Sequence, residues 1–215
     1  MIETAAGLVL RTRPLTETSL IVHWLTPSLG RLATVAKGAR QAKSSFRGKL
    51  DLFYLADLSF GRSRCSELHT LREVSLRDTH SGLRQDLGLL QQASYCAALL
   101  EQSTELETPL PHLFDLMVSL VRHLLAHPQQ PATVFAFELK LLTELGLKPD
   151  LDKSGLKPGT TALVSALAEN DWPVVARLRP SQGQVADLRG FLHGFLVYHL
   201  GRTPKGRNAA LGLAA

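Results

Sequence analysis

The chain has 215 residues, 45% of them hydrophobic and 20% charged, with a formal net charge of +5. That balance matches a soluble globular protein and excludes long disorder. No apolar run of about 18 residues is present to span a membrane, and Glu3, with no basic flank before the first apolar stretch, argues against a secretory signal. The charge is uneven: residues 1–80 hold 12 Lys/Arg and 7 Asp/Glu, a difference of +5, whereas residues 81–215 hold 12 and 12, a difference of zero. A basic front joined to a neutral rear points to a polyanion partner for the first part and a different role for the second. Cys65 and Cys96 read as free thiols in a reducing cytoplasm.

Residues 1–80 read as strands. Ala5–Arg13 is apolar and stops at Pro14; Leu20–Thr26 is β-branched and aromatic. The turn Pro27–Gly30 leads into Arg31–Lys37, and Leu52–Phe60 and Leu68–Leu76 supply two more strands. Five short strands predict a small closed barrel, an OB-fold or an SH3-like barrel. Between the third and fourth strands lies the most basic stretch of the chain. Arg31–Lys49 carries Arg31, Lys37, Arg40, Lys43, Arg47 and Lys49 with no Asp or Glu, and Gly38–Ser45 reads as a mobile loop. Phe46 lies inside it, and a ring among cations is what a stacked base requires. Tyr54 and Phe60 alternate on a strand and are further candidates for an outward ring, while Trp24 reads as core.

Near residue 80 the period changes from two to about 3.6. Helices are expected over about 81–103, over 113–125 before Pro128, over 133–145 with Gly146 at the end, near 161–169, and over 184–200. Residues 148–160 read as a loop, and the tail Gly201–Ala215 reads as frayed. Phe135, Phe137, Phe191 and Phe195 fall at helical spacing and read as core. The expected class is therefore α+β and multi-domain: an OB-fold-like barrel over 1–80, then an all-α domain over 81–215 with an irregular segment at 148–183.

No phosphate-binding glycine loop, dinucleotide fingerprint or nucleophile elbow is present. Asp150 and Asp152 sit in a polar loop and read as solvated. His123 and His127 have the i, i+4 spacing of metal ligands, but the sequence suggests no third ligand; two cysteines alone cannot complete a structural zinc site. No catalytic residue, cofactor or metal is assigned.

Several stretches in fixed order resemble the bacterial RecO family of recombination mediators: GLVLRTRPLTETSLIVHWLTPSLGR at 7–31, AKGARQAKSSFRG at 36–48, LDLFYLADLSFGR at 50–62 and ELHTLREVSL at 67–76. In the rear half DLGLLQQASYCAALL, FELKLLTELGLKPDL and LRGFLHGFLVYHLGR are similar to family segments. The resemblance implies an N-terminal OB-fold and a helical domain. It also implies binding of single- and double-stranded DNA, strand annealing, and work with RecR to place RecA on DNA coated by single-strand binding protein. Many members carry a four-cysteine zinc site after the LGLKP segment; here Ser154 and Lys157 stand where the first pair aligns, so the insertion is degenerate and no zinc is expected. Arg31, Lys37, Arg40, Lys43, Arg47 and Lys49 are then expected to hold DNA phosphates, extended by Arg13, Arg62 and Arg64, with Phe46 as a stacking ring. Arg122, Lys140, Arg189 and Arg202 beside an apolar groove are the candidates for the acidic tail of the single-strand binding protein. A cytoplasmic, nucleoid-associated place follows from the same resemblance. The rival readings are an RNA-binding barrel, or an adaptor whose barrel is only a scaffold.

Overall fold

The computed structural model describes residues 1–213. Five strands come first: β1 (Ile2–Pro14), β2 (Leu20–Thr26), β3 (Gly30–Ala36), β4 (Leu55–Gly61) and β5 (Leu68–Asp78). They close into a barrel in the order β1-β2-β3-β5-β4, with β4 returning to β1. All pairs are antiparallel except β3 with β5. This is the OB-fold arrangement, which leaves no open sheet edge. β1 is long enough to pair with β4 along its first half and with β2 along its second. A register shift between Val9 and Arg11 bends it from one partner to the other.

Alternation sends Val9, Val22, Trp24, Leu32, Ala36, Ala56, Leu58, Phe60, Leu71 and Val74 into the barrel. Trp24 is fully buried and its indole N–H donates to Thr34 Oγ1 at 2.9 Å, which removes the cost of an orphaned donor. Gly7 is closely packed: a Cβ there would meet Leu58 Cδ2 at 2.9 Å and Trp24 Cε3 at 3.1 Å, so core side chains would have to shift to admit it. Phe60 is completely buried, so it is no outward ring, whereas Tyr54 is partly exposed.

The helices are α1 (Leu87–Ser103), α2 (Pro111–Ala126), α3 (Pro131–Glu144), α4 (Pro158–Glu169), α5 (Trp172–Val175), α6 (Gln182–Leu200) and α7 (Arg207–Ala210). The chain divides into two compact units: Met1–Ser81 with Thr104–Val118, and Gly82–Ser103 with the described residues from Ser119 onward. A single cut near residue 80 would leave Thr104–Val118 with the helices. The structure puts it with the barrel, where Glu107 N–H donates to Arg31 O at 2.9 Å.

In the second unit α3 is the central helix. Ala132 to Leu139, Leu141 and Leu142 are all buried, as expected of a helix with neighbours on several sides, here α1, α4, α5 and α6. Phe135 and Phe137 are core as expected, but Phe191 and Phe195 on α6 are only partly buried. Segment 148–183 is built of a 3-10 turn, α4 and α5 rather than an open loop. The tail does not fray as expected. α7 packs against α1, and Arg207, Ala210 and Leu211 are buried. Ala214 and Ala215, which the frayed-tail expectation also covered, lie outside the described residues. No helix among the described residues is long and apolar enough to cross a membrane.

Candidate nucleic-acid interface

Strand register decides which cations share a surface. Leu8–Leu25–Arg31, Arg11–His23–Ala33 and Arg13–Ile21–Val35 form three cross-strand rows on β1, β2 and β3. Their neighbours in sequence, Val9, Val22, Trp24 and Leu32, fill the core, so these rows point away from the barrel interior, with Leu8, Leu25 and Ala33 among them buried and Arg11 and Arg13 exposed. Arg11, Arg13 and Arg31 thus lie on one outer face around His23. Arg13 Nη2 is 3.3 Å from His23 Nε2. Desolvation, then Arg11, Arg13 and Arg31 in turn, push the His23 imidazole down to about 4 from its ordinary 6.5. Burial is the larger cause, and the three guanidiniums add their positive field to it. Because the folded form binds its proton more weakly than the unfolded chain, His23 lowers stability as pH falls from about 6.5 towards 4. A proton titration of the His23 ring by NMR should give a midpoint near 4; a midpoint near 6.5 would mean that neither burial nor the three arginines act on the ring.

Beyond β3 the face continues. Lys37 is exposed at the end of that strand. Arg40 N–H donates to Thr18 O at 3.0 Å, and its Nη1 donates to Thr16 O at 2.8 Å, which places an exposed cation against the loop between β1 and β2. Arg13, Lys37 and Arg40 therefore gather at one end of the barrel. Arg11 was not among the residues singled out from the sequence. Its signal was there: it has the same parity as Arg13 on a strand.

The basic stretch itself is a ladder of turns, not a mobile loop. Ala39, Gln41, Ser44, Arg47 and Lys49 each donate a backbone N–H to the carbonyl three residues earlier, at 3.0 to 3.3 Å. Gly38, with φ of +69°, turns the chain out of β3 into this ladder. Lys43 and Arg47 are exposed on it. Phe46 does not present an outward ring as expected. It is 8% exposed and belongs to the barrel core, with Ala39 and Leu50 packed nearby, so its ring anchors the ladder and is not presented to a base. Phe46→Leu should lower stability by about 1–2 kcal/mol and leave nucleic-acid affinity unchanged, read by thermal melting and by fluorescence anisotropy. Lys49 turns to another side, where it lines a groove of about 590 Å³ with Arg72, Asp57 and Glu73.

Arg62 and Arg64 do not extend the track. They follow Gly61, which pairs with Ile2, so they sit at the opposite end of β1 from Arg13. Arg62 is held by Glu3 at 2.6 Å and by Glu107 at 2.6 Å, and Glu107 also meets His69 at 2.5 Å. The hydrogen bond from Arg62 holds the Glu3 carboxyl below its usual range. A guanidinium with two carboxylates has little charge left for phosphate. Arg64 is exposed. Arg31 is partly committed as well: its Nε donates to Thr104 Oγ1 at 2.7 Å and its Nη2 to Thr104 O.

The candidates on the second unit also separate. Lys140 donates to Ala168 O at 3.1 Å and Asn170 O at 2.5 Å and lies over the Trp172 ring, so it serves the fold. Arg122, Arg189 and Arg202 are exposed. Of these, Arg189 borders a groove of about 600 Å³ whose walls include Pro131, Val185, Leu211 and Leu213. At the positions aligned with a zinc-ligating pair, Ser154 Oγ donates to Leu151 O at 2.7 Å and Lys157 is an exposed ammonium at the start of α4. Neither fits a zinc ligand. His123 and His127 lie 4.7 Å apart. His123 is buried, bonds Thr133 Oγ1 at 3.2 Å and stacks on Trp172. Desolvation first and His127 second push it down to about 4.

One group that the sequence did not reveal is a buried triad. Arg207 Nε and Nη2 donate to the two oxygens of Glu138 at 2.7 and 2.8 Å, and Tyr95 OH donates to Glu138 Oε1 at 2.5 Å. Glu138 is fully buried and Arg207 is 6% exposed. Burial, aided by the Glu138 charge, drives the Tyr95 phenol far up. The triad ties α7 to α3 and α1.

Comparison with known proteins gives two family matches in order along the chain: recombination protein O N terminal over residues 1–80, and recombination protein O C terminal over residues 84–156. The DNA repair protein RecO of Bacillus pumilus (strain SAFR-032) is 32% identical over 153 residues, 71% of this chain and 59% of that protein. That of Anaeromyxobacter dehalogenans (strain 2CP-C) is 36% identical over 146 residues, 68% of this chain and 58% of that protein. That of Listeria monocytogenes serotype 4b (strain CLIP80459) is 30% identical over 159 residues, covering 74% and 62%. The match thus spans about three fifths of the length of these relatives.

Proposed function

Because the chain belongs to the RecO family, we propose that it is a DNA repair protein acting as a non-enzymatic recombination mediator. The observation that carries this reading is the guanidinium face around His23, continued by Lys37 and Arg40. Arg11, Arg13, Lys37, Arg40, Lys43 and Arg47 hold the phosphates of single- or double-stranded DNA. Annealing follows from electrostatics: a cationic surface that holds two strands lowers their repulsion and raises their local concentration. No covalent step is needed.

The finer assignments rest on the family: work with RecR, delivery of RecA onto DNA coated by single-strand binding protein, and a place at the nucleoid. The groove of Val185, Leu211 and Leu213 beside Arg189 is suited to an acidic, apolar peptide such as the tail of that binding protein.

Fluorescence anisotropy with labelled single-stranded DNA across salt tests the first step. Six phosphate contacts give a slope of log affinity against log salt of about −4. A slope near zero would remove phosphate binding. A strand-annealing assay without nucleotide or metal then tests mediation.

A further inference from the structure

Helix α6 turns Leu188, Leu192 and Leu196 into the second unit and leaves two different flanks outside. On one flank, Arg189 and His193, one turn apart, border a groove of about 840 Å³ that Lys205 and Asn208 also line. No Asp or Glu is among its described lining residues. On the other flank Phe191, Phe195 and His199 follow at four-residue spacing, with ring centroids 6.1 and 4.3 Å apart, and Tyr198 lies edge-on to His199 at 4.9 Å. Both phenylalanines are partly exposed, and Tyr198 is 84% exposed. Between the flanks Gly190 and Gly194 have open space where a side chain would stand. Glycine is a poor helix former, and nothing packed against these two positions requires it.

The charge of the second unit is also less even than its total suggests. Residues 182–213 hold four Lys/Arg and one Asp/Glu, a difference of +3, whereas the rest of this unit, 82–103 and 119–181, holds eight and eight, a difference of zero. Glu138 neutralises Arg207, which leaves Arg189, Arg202 and Lys205 for a partner.

We propose that the outer side of α6 is a second nucleic-acid site, a path for a single strand. Phosphates lie toward Arg189 and Lys205, the backbone crosses over Gly190 and Gly194, and bases stack on Tyr198 and Phe195. Rings tolerate any base because each base has a π-face. An apolar helix from a partner would cover the rings but strip water from unpaired cations. An acidic peptide would answer the cations and leave the rings idle. A single strand satisfies both flanks. This site stands on α6 and the segment that follows it and does not depend on the barrel face.

The test is photocrosslinking of the full chain to oligothymidylate carrying 5-iodouracil, followed by trypsin and mass spectrometry. The expected crosslink falls in the tryptic peptide Gly190–Arg202, and it persists in a chain carrying Arg13→Glu, Lys37→Glu and Arg40→Glu, so failure of the barrel site is read separately. Tyr198→Ala touches an exposed ring, leaves the melting temperature unchanged, and lowers affinity of that charge-reversed chain for oligothymidylate between about five- and a hundredfold. Crosslinks confined to residues 1–80 would overturn the proposal. So would unchanged affinity in Tyr198→Ala and Lys205→Glu, or variants that weaken only the binding of an acidic peptide.

Discussion

Arg207→Ala should lower the stability of the second unit by about 3–5 kcal/mol, because it leaves the Glu138 carboxylate buried without its cation. Glu138 would keep only the Tyr95 hydroxyl as a partner. For a chain of this size that loss moves the melting transition by roughly 10 °C. The paired change Glu138→Met with Arg207→Met removes both charges together and should cost far less, since a buried ion pair is often replaceable by apolar groups of similar volume. Calorimetry of the single and double variants reads the difference. A single variant within about 1 kcal/mol of the parent chain would show that α7 is not held by this pair.

Arg13→Glu, Lys37→Glu and Arg40→Glu together should reduce affinity for single-stranded DNA at low salt by about a hundredfold or more. Three lost contacts reduce the magnitude of the salt slope by about 2. All three side chains are exposed, so the barrel should melt where it did before. The same triple change at Arg62, Arg64 and Arg72 is the control. Arg62 is already paired with Glu3 and Glu107, and Arg62 and Arg64 lie at the far end of β1. Equal losses from the two triples would show diffuse attraction to net charge in place of a defined face.

The strands were legible in the chain because alternation and punctuation by Pro14, Pro27 and Gly30 are local signals. The cationic face was legible only in part. Arg31 and Lys37 follow from counting by two along β3, but pairing β1 with β2 across a bulge brings in Arg11 and sends Arg62 to the other end, and register is a property of two strands at once. Phe46 misled because a lone ring among cations looks solvent-facing, while its fate depends on a ladder of turns whose bonds are backbone and carry no sequence signature. Arg207 misled for a similar reason. Its partner is 69 residues away, and a short stretch of small and polar residues near a terminus reads as loose unless that partner is known. Phe191 and Phe195 have helical spacing, yet spacing does not say which side of α6 meets its neighbours.

The turns that follow β3 link Ala36 to Ala39, Gly38 to Gln41, Gln41 to Ser44, Ser44 to Arg47 and Phe46 to Lys49. Lys43 and Arg47 therefore ride on backbone tied link by link to the seat of the Phe46 ring. An insertion or deletion between Gly38 and Phe46 breaks at least one of these links and moves both cations relative to that seat, so a change of length in this segment is also a change in the shape of the charged surface.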